Sequence, residues 1–367
     1  MDVNNGTSED FDTAQIIAEF KQFLIDSTSF TKVVAFWFVY CTISIIGVAG
    51  NACVIFLVAK SKSMWTTRNF FIGNLALADL VQATTLIPFF LEPELQLEWR
   101  YGEFWCKFYN GFSFMNICCS ALSITMISVE RYWTVRSMRI NRSARNLTSF
   151  IMIVSIWLLS VVFAIPLIIF CSLTPVTHPR FGGVTILEVC GFTPPPGSGL
   201  DVLVQIQQLV FLYPLPLLIV LIVNAQLHRF LKRGQFRLNR WTSLGPAVRS
   251  RGYQCKTSRL LLLMGSMHAL LWLPYTVLYL LAEFAPQIFR DADMFQTLHL
   301  SFQALAYTSV CVNPFLYAFL NSLFKKKFKK LFACCMNRSK RSVSEKPEFK
   351  NGCITVPLSV ANPTSYF

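Results

Sequence analysis

The chain has 367 residues, of which 54% are hydrophobic and only 14% are charged. Because soluble domains carry about one quarter charged residues, this composition argues against a soluble protein and for a chain that has lipid as its solvent. The formal net charge of +14 leaves nucleic acid and the membrane surface open as partners, and the position of the basic residues decides between them.

Predominantly apolar windows of about 20 residues, the length that crosses a bilayer as a helix, occur seven times along the chain. The backbone of each window can satisfy its own hydrogen bonds as a helix, which the bilayer requires. The sequence therefore predicts an all-α membrane protein, a bundle of seven transmembrane helices. We number them as spans one to seven: Val33–Ala59, Asn69–Leu91, Trp105–Trp133, Phe150–Phe170, Val202–Leu227, Ser258–Ala282 and Met294–Leu320.

The basic residues lie almost entirely on one side of the predicted bundle. Of the 33 Lys and Arg residues, 27 fall at or between the ends of spans one and two, three and four, and five and six, or after span seven. By the positive-inside rule this side is cytoplasmic, which predicts a multi-pass plasma-membrane protein with its amino terminus outside and its carboxyl terminus inside. Orientation thus explains the basic excess, and no base-reading module is visible, so we exclude nucleic acid as a partner.

The segments that flank the spans carry three candidate modification sites. We expect an extracellular segment over 1–32, the seven-span domain over 33–320, a short amphipathic cytoplasmic helix over 321–335 and a cytoplasmic tail over 336–367. We expect the first segment to lack a cleavable signal, and it contains a glycosylation sequon at Asn5. The helix after span seven has apolar residues on one face and lysines around them, which is typical of a helix lying on anionic membrane lipid. Cys334 and Cys335 follow it and are predicted to be palmitoylated, with unmodified thiols as the alternative.

Polar residues and prolines inside the spans form an ordered set, and such residues mark function by default because they are costly in lipid. In chain order they are Asn51, Asn74, Asp79, Glu130, Arg131, Tyr132, Trp157, Pro166, Pro214, Pro216, Trp272, Pro274, Asn313, Pro314 and Tyr317. Each short motif is weak alone, but together and in this order they resemble the rhodopsin-like family of G-protein-coupled receptors across residues 33–335. Asn69–Phe71 with Asn74, and Lys256–Arg259, further resemble receptors for neuropeptide Y, neuropeptide F and RF-amide peptides.

The resemblance implies a set of switch residues. The pair Glu130 and Arg131 would hold the inactive state and release the arginine to a heterotrimeric G protein, whereas a snorkelling interfacial arginine is the alternative. The other implied switch residues are Tyr132, Asn313, Pro314 and Tyr317, with Trp272 as a toggle beneath the ligand and Pro274 as a hinge. His268 and Leu271 depart from the family pattern and put the detail of the switch in doubt.

The resemblance also implies an allosteric sodium ion as the one bound cofactor. Its site would be formed by Asp79, Ser120 and Asn313, with Ser309 as a fourth member. A carboxylate in the middle of a membrane must be neutralised by a proton or a cation. We therefore expect sodium to weaken agonist binding.

A disulfide is implied at the outer face. Cys106 begins span three and Cys190 lies in the second outer loop, and both face an oxidising compartment. The bridge would tie this loop over the bundle. Cys171, at the end of span four, could compete for the pairing but is expected to be free.

Two positions argue against known classes of ligand. Ser113 occupies the place of the aspartate of amine receptors, which argues against an amine. Tyr307 occupies the place of the lysine that binds retinal in opsins, which argues against light sensing. The outer face is acidic, which favours a cationic ligand; its acids are Glu92, Glu94, Glu98, Glu103, Glu188, Asp201, Glu283, Asp291 and Asp293. In the peptide receptors that the chain resembles, an acid at the place of Glu283 meets an arginine of the peptide, with an ordinary solvated carboxylate as the alternative.

The sequence predicts a receptor for a basic, amidated peptide and no enzymatic activity. The outer cleft would be lined by Ser113, Gln205, Gln208, Tyr275, Tyr279, Glu283, His299, Phe302 and Gln303. Expected inner partners are a G protein, arrestin and a receptor kinase, and the terminal Ser365–Phe367 could fit a PDZ domain. The alternatives are a ligand-independent or scaffolding receptor-like protein and a seven-helix transporter, although paired intramembrane charges and internal repeats, which a transporter would favour, are not seen.

Overall fold

The computed structural model describes residues 29–136, 142–177, 185–212, 214–238, 245–289, 291–320 and 323–331. The chain divides into two units. Residues 1–325 contain the helix bundle. In the unit formed by residues 326–367, the described residues 326–331 are helical.

Helices occupy all seven predicted spans. Their bounds are Phe30–Lys60, Thr67–Gln96, Gly102–Arg136, Arg142–Phe170, Leu200–Leu212 with Pro214–Leu238, Gly245–Phe284, and Ala292–Tyr307 with Ser309–Leu320. Within the described part of the chain, five helices are long and apolar enough to cross a membrane, and they lie in spans one, two, three, four and six. Span five contributes a shorter apolar helix, and Thr308 divides span seven into two helices. The architecture is the predicted all-α bundle.

The second outer loop folds as a hairpin, a feature absent from the sequence analysis. Its antiparallel strands are β1 (Cys171–Thr177) and β2 (Thr185–Phe192). Leu173 pairs with Cys190, and Cys190 is joined by a disulfide to Cys106 of span three. The backbone N–H of Trp99 donates to the carbonyl of Glu188 at 2.7 Å. The hairpin is thus attached to the bundle both covalently and by a backbone hydrogen bond.

A proline in span seven determines how span one packs against it. Pro314 has no backbone N–H, so the carbonyl of Val310, one turn earlier, lacks its helical donor. The Nδ2 of Asn51 donates to that carbonyl at 2.8 Å. The close approach of spans one and seven requires glycine in span one. A Cβ on Gly47 would lie 2.7 Å from Val310 Cγ2, and one on Gly50 would lie 2.9 Å from Pro314 Cγ.

Buried side-chain hydrogen bonds join spans two, three and four. Asn74 donates through Nδ2 to the hydroxyl of Ser123 at 2.9 Å. The indole N–H of Trp157 donates to Asn74 Oδ1, also at 2.9 Å. Because buried polar atoms are costly unless they are hydrogen-bonded, this trio fixes the relative position of the three helices.

Span two contains a π-helical turn at Gln82–Leu86. The N–H of Ile87 bonds the carbonyl of Gln82, five residues earlier. Pro88 cannot donate to Thr84, so a wider turn here relieves the missing bond. A π turn inserts one residue relative to an α-helix, and it therefore rotates every later position of span two about the helix axis, including the acids at its outer end.

Candidate functional site

A cavity of about 540 Å³ opens at the end of the bundle that carries the hairpin. We call it the outer cavity. The predicted ligand residues that line it are Ser113, Gln205, Tyr275, Tyr279, His299 and Gln303. The side chains of Gln208 and Glu283 lie outside the described residues. Phe302 is half-buried and does not line the cavity, because neighbouring positions on a helix point about 100° apart and Gln303 takes the inward one.

Among the side chains that the structure describes, three carboxylates line the outer cavity, and their surroundings differ. They belong to Glu94, Glu98 and Asp201. Glu98 accepts a hydrogen bond from Arg100 Nε at 2.7 Å, and this bond raises the pKa of Arg100. The Oε2 of Glu94 lies 3.3 Å from His299 Nδ1. The sequence placed Glu94 among the outer acids but gave it no separate role.

The floor of the outer cavity holds buried polar atoms that lack a partner. Gln205, Gln303 and Trp272 are 6%, 4% and 3% exposed, respectively. The Oε1 atoms of both glutamines and the Nε1 of Trp272 have no hydrogen-bond partner. An orphaned buried polar group costs about 1–3 kcal/mol and calls for water or a ligand as its partner. The floor is therefore suited to a polar group that both donates and accepts.

A chain of contacts leads from the carboxylate of Glu94 to the predicted toggle. His299 Nε2 lies 3.4 Å from the hydroxyl of Tyr275, and the two ring centroids are 5.4 Å apart. The ring of Tyr275 contacts the ring of Trp272 edge-on, with 6.3 Å between the two ring centroids. Span two, span seven and span six are thus connected through one row of side chains.

A second polar group, which we call the inner polar cluster, lies deeper in the bundle. Its buried members are Asp79, Gln82, Asn116, Ser120, Ser309 and Asn313. Asn313 donates through Nδ2 to Asp79 Oδ2 at 2.8 Å, and Asn116 donates to Gln82 Oε1 at 3.4 Å. The hydroxyl of Ser120 has no partner. The sequence analysis missed Gln82 and Asn116, although both are polar residues inside predicted spans and so carried a usable signal.

The predicted switch residues are only partly described. Glu130 and Tyr132 are half-buried, and the side chain of Arg131 lies outside the described residues, so the pair Glu130–Arg131 stays a prediction. Tyr317 is fully buried and its ring stacks on Phe324 at 5.6 Å, while its hydroxyl has no partner.

Pro274 lies inside the helix of span six, as the hinge prediction requires, and His268 is half-buried about two turns before it. The ring of His268 is 6.2 Å from that of Trp272. The glycosylation prediction at Asn5, the palmitoylation predictions at Cys334 and Cys335, and the tail predictions fall outside the described residues.

Comparison with known proteins identifies a family and several relatives. Residues 50–317 match the family described as 7 transmembrane receptor (rhodopsin family). The probable G-protein coupled receptor npr-8 of Caenorhabditis elegans is 29% identical over 348 residues, covering 80% of this chain and 71% of that protein. Neuropeptide Y receptor type 2 of Cavia porcellus is 31% identical over 319 residues, covering 85% and 80%. The Homo sapiens receptor of the same name is 30% identical over the same length, with the same coverage.

Proposed function

The chain belongs to the rhodopsin family of seven-transmembrane receptors, and on that premise we propose that it is a peptide receptor that activates a heterotrimeric G protein. The observation that carries the proposal is the outer cavity, which combines carboxylates at its rim with unpartnered amide oxygens at its floor. Two relatives are named as neuropeptide Y receptors, which supports the same ligand class. The receptor is not itself an enzyme; it promotes nucleotide exchange on its G protein.

The chemistry of the outer cavity favours a basic, amidated peptide. Its volume of about 540 Å³ falls within the range of about 300–1,000 Å³ for small-ligand sites, so it admits the end of a peptide rather than a folded protein. The carboxylates attract a cationic side chain. A terminal carboxamide offers two N–H donors for Gln205 and Gln303 and an acceptor for the indole N–H of Trp272.

We assign the inner end of the bundle to signalling partners. The amino terminus lies outside and the carboxyl terminus inside, with the G protein binding at Glu130, Arg131 and Tyr132. Serines and threonines of the tail are sites for a receptor kinase and arrestin, and the last residues bind a PDZ domain. Asn5 carries glycan, and Cys334 and Cys335 carry palmitate.

We further propose that the inner polar cluster binds sodium. Asp79 would hold the ion, together with Ser120, Ser309 and Asn313. The residues fit the ion, because a buried carboxylate and a hydroxyl without a partner are hard oxygen ligands. Sodium would supply the positive charge that a buried carboxylate needs. Asp79 itself holds Asn313 by a hydrogen bond and so links span two to span seven.

The proposed function is tested by nucleotide exchange in membranes that contain the full-length receptor. A panel of short amidated peptides is applied, and binding of a non-hydrolysable GTP analogue to the co-expressed G protein is measured. We expect arginine-bearing amides to stimulate exchange and their free-acid forms to be weaker. Exchange that is high without any peptide and unaffected by the whole panel would support the ligand-independent alternative and refute the proposal.

Charge reversal tests the outermost predicted contact. We expect Glu283→Lys to lower the potency of an arginine-bearing agonist by about 100-fold, because attraction becomes repulsion. Glu103→Lys is the matched control, since Glu103 is an outer-face acid that does not line the outer cavity. Unchanged potency in the Glu283 variant would contradict the ionic contact while leaving the receptor class intact.

A further inference from the structure

We propose that Glu94 binds a cationic group of the ligand within the outer cavity, and that His299 transmits this event to Trp272 through Tyr275. The inference rests on the proposed function, because it names the residue that senses the charge of the peptide. It goes beyond Glu283 by assigning a second acidic contact, on span two, with a route to the toggle. Glu94 is thereby a specificity-determining residue, and His299 is a positioning residue.

Glu94 differs from the outer acids that pair with a lysine or an arginine. Glu98 is bonded to Arg100 at 2.7 Å, and Lys32 and Lys107 pair with Asp293 and Glu103 at 2.7 and 2.6 Å. The carboxylate of Glu94 faces a histidine, which carries a full charge only when protonated.

Asp201 also lines the cavity, but it lies in the first turn of the helix Leu200–Leu212. The partial positive charge of a helix amino terminus stabilises an acid at that position. Among the described carboxylates of the cavity, Glu94 is therefore the one that gains most from a cation supplied by a ligand.

The floor of the same cavity is an independent indication of a ligand. Gln205 and Gln303 are at least nine-tenths buried, line the cavity and have an Oε1 without a partner. A ligand that satisfies these atoms is held with its other end toward the rim, where Glu94 lies. The acids at the rim are thus part of a formed site.

The position of His299 makes the contact with Glu94 consequential for signalling. One imidazole has Glu94 on its Nδ1 side and Tyr275 on its Nε2 side. A ligand cation that binds Oε2 of Glu94 competes with Nδ1 of His299 for that acceptor. The imidazole is then held less firmly in its present orientation. Tyr275 then loses its partner at Nε2, and its edge contact with Trp272 is free to change. The ligand charge is read at span two and delivered to span six.

The test compares Glu94→Gln with Glu103→Gln in the full-length receptor, because Glu103 is an outer acid that does not line the outer cavity. The probes are short synthetic peptide amides with two arginines, and analogues in which citrulline, the neutral isostere, replaces each arginine in turn. One of the two arginines is expected to contact Glu94. Glu94→Gln should lower the potency of the arginine peptide about 10- to 100-fold, whereas the potency of the analogue with citrulline at that position should change little. Glu103→Gln should change either potency less than about three-fold, because Glu103 pairs with Lys107 outside the cavity.

The citrulline analogue also reports on folding, since a misfolded variant would lose both probes, and Glu94→Asp, which keeps the charge, should then retain the preference for arginine. If Glu94→Gln lowers the potency of both probes equally, or if Glu103→Gln has the same effect, the assignment of Glu94 is wrong while the peptide receptor stands. If no peptide activates the wild-type receptor, the proposed function fails and the inference fails with it.

His299→Ala separates the relay from simple packing. Removing the histidine frees Glu94 for the ligand, so we expect the binding affinity for the arginine peptide to be maintained or increased. The maximal nucleotide exchange should fall about three-fold or more, because Tyr275 no longer receives the signal. A parallel loss of affinity and maximal exchange would indicate a structural role and overturn the relay.

Discussion

The outer cavity and the inner polar cluster use similar side chains in different roles. In the outer cavity, Gln205 and Gln303 keep buried oxygens without partners beside a space that a ligand can enter. In the inner cluster, Asp79 and Asn313 bond each other across two spans. The inner cluster also leaves atoms of Gln82, Asn116 and Ser120 without partners, but the hydrogen bonds that it does form join span two to spans three and seven. The difference separates recognition of a ligand from control of helix arrangement.

This contrast predicts different consequences of substitution. A change in the outer cavity should alter which ligand binds and leave the stability of the bundle nearly constant. A change in a buried hydrogen bond between helices should alter the stability of the bundle or the response to activation, because a buried group left without its partner costs about 1–3 kcal/mol. The disulfide belongs to neither class, because it attaches the hairpin to span three and constrains the chain.

The largest effect is expected from Cys190→Ser. The change breaks the disulfide with Cys106 and releases the hairpin from span three. Loss of a structural disulfide costs about 2–5 kcal/mol, so the purified receptor should unfold at a clearly lower temperature and bind peptide poorly. Cys171→Ala is the control, because Cys171 is a buried free thiol in the same hairpin. Equal losses in the two variants would contradict a role for the bridge.

Asp79→Asn should remove the response to sodium. In the wild type we expect replacement of sodium by an organic cation to raise agonist affinity by about five-fold or more, and in the variant no change. Asp293→Asn makes the same exchange at a side chain that is 68% exposed and should keep the response. Sodium sensitivity and signalling that are both unchanged in Asp79→Asn would remove the sodium proposal.

Trp157→Phe tests the hydrogen bond between spans four and two without touching a charge. The change leaves Asn74 Oδ1 without its donor and should lower the free energy of unfolding by about 1–2 kcal/mol. The readout is the thermal midpoint of the purified receptor. Trp133→Phe, at a side chain that is 62% exposed, should leave the midpoint nearly unchanged. A larger effect at Trp133 would mean that aromatic surface, rather than the hydrogen bond, stabilises this region.

The smallest effect is expected from Glu103→Gln at the outer rim. The pair with Lys107 spans one helical turn at 2.6 Å, and its side chains are 57% and 36% exposed. Exposed pairs of this kind contribute about 0.5 kcal/mol or less. The thermal midpoint and the peptide potency should both stay within the precision of the measurement. A substantial loss of potency would place Glu103 within reach of the ligand.

Local patterns predicted several contacts that the structure contains. Asp79 and Asn313 stood out because each is a polar residue inside an apolar span, and they bond each other. Cys106 and Cys190 are joined, although composition alone left Cys171 as a competitor. The placement of Phe302 and Gln303 was harder, because adjacent helical positions differ by about 100° and a small error in helix rotation exchanges them.

The number of spans, their order and the family could be predicted from the sequence, because these depend on the hydrophobicity of single segments and on short motifs. Which of the outer acids line the cavity depends on how the helices pack. The π turn at Gln82–Leu86 rotates the outer end of span two, and the contact between Glu94 and His299 joins residues from spans two and seven. Helix rotation and contacts between distant segments arise from packing, so a pattern within one segment cannot encode them.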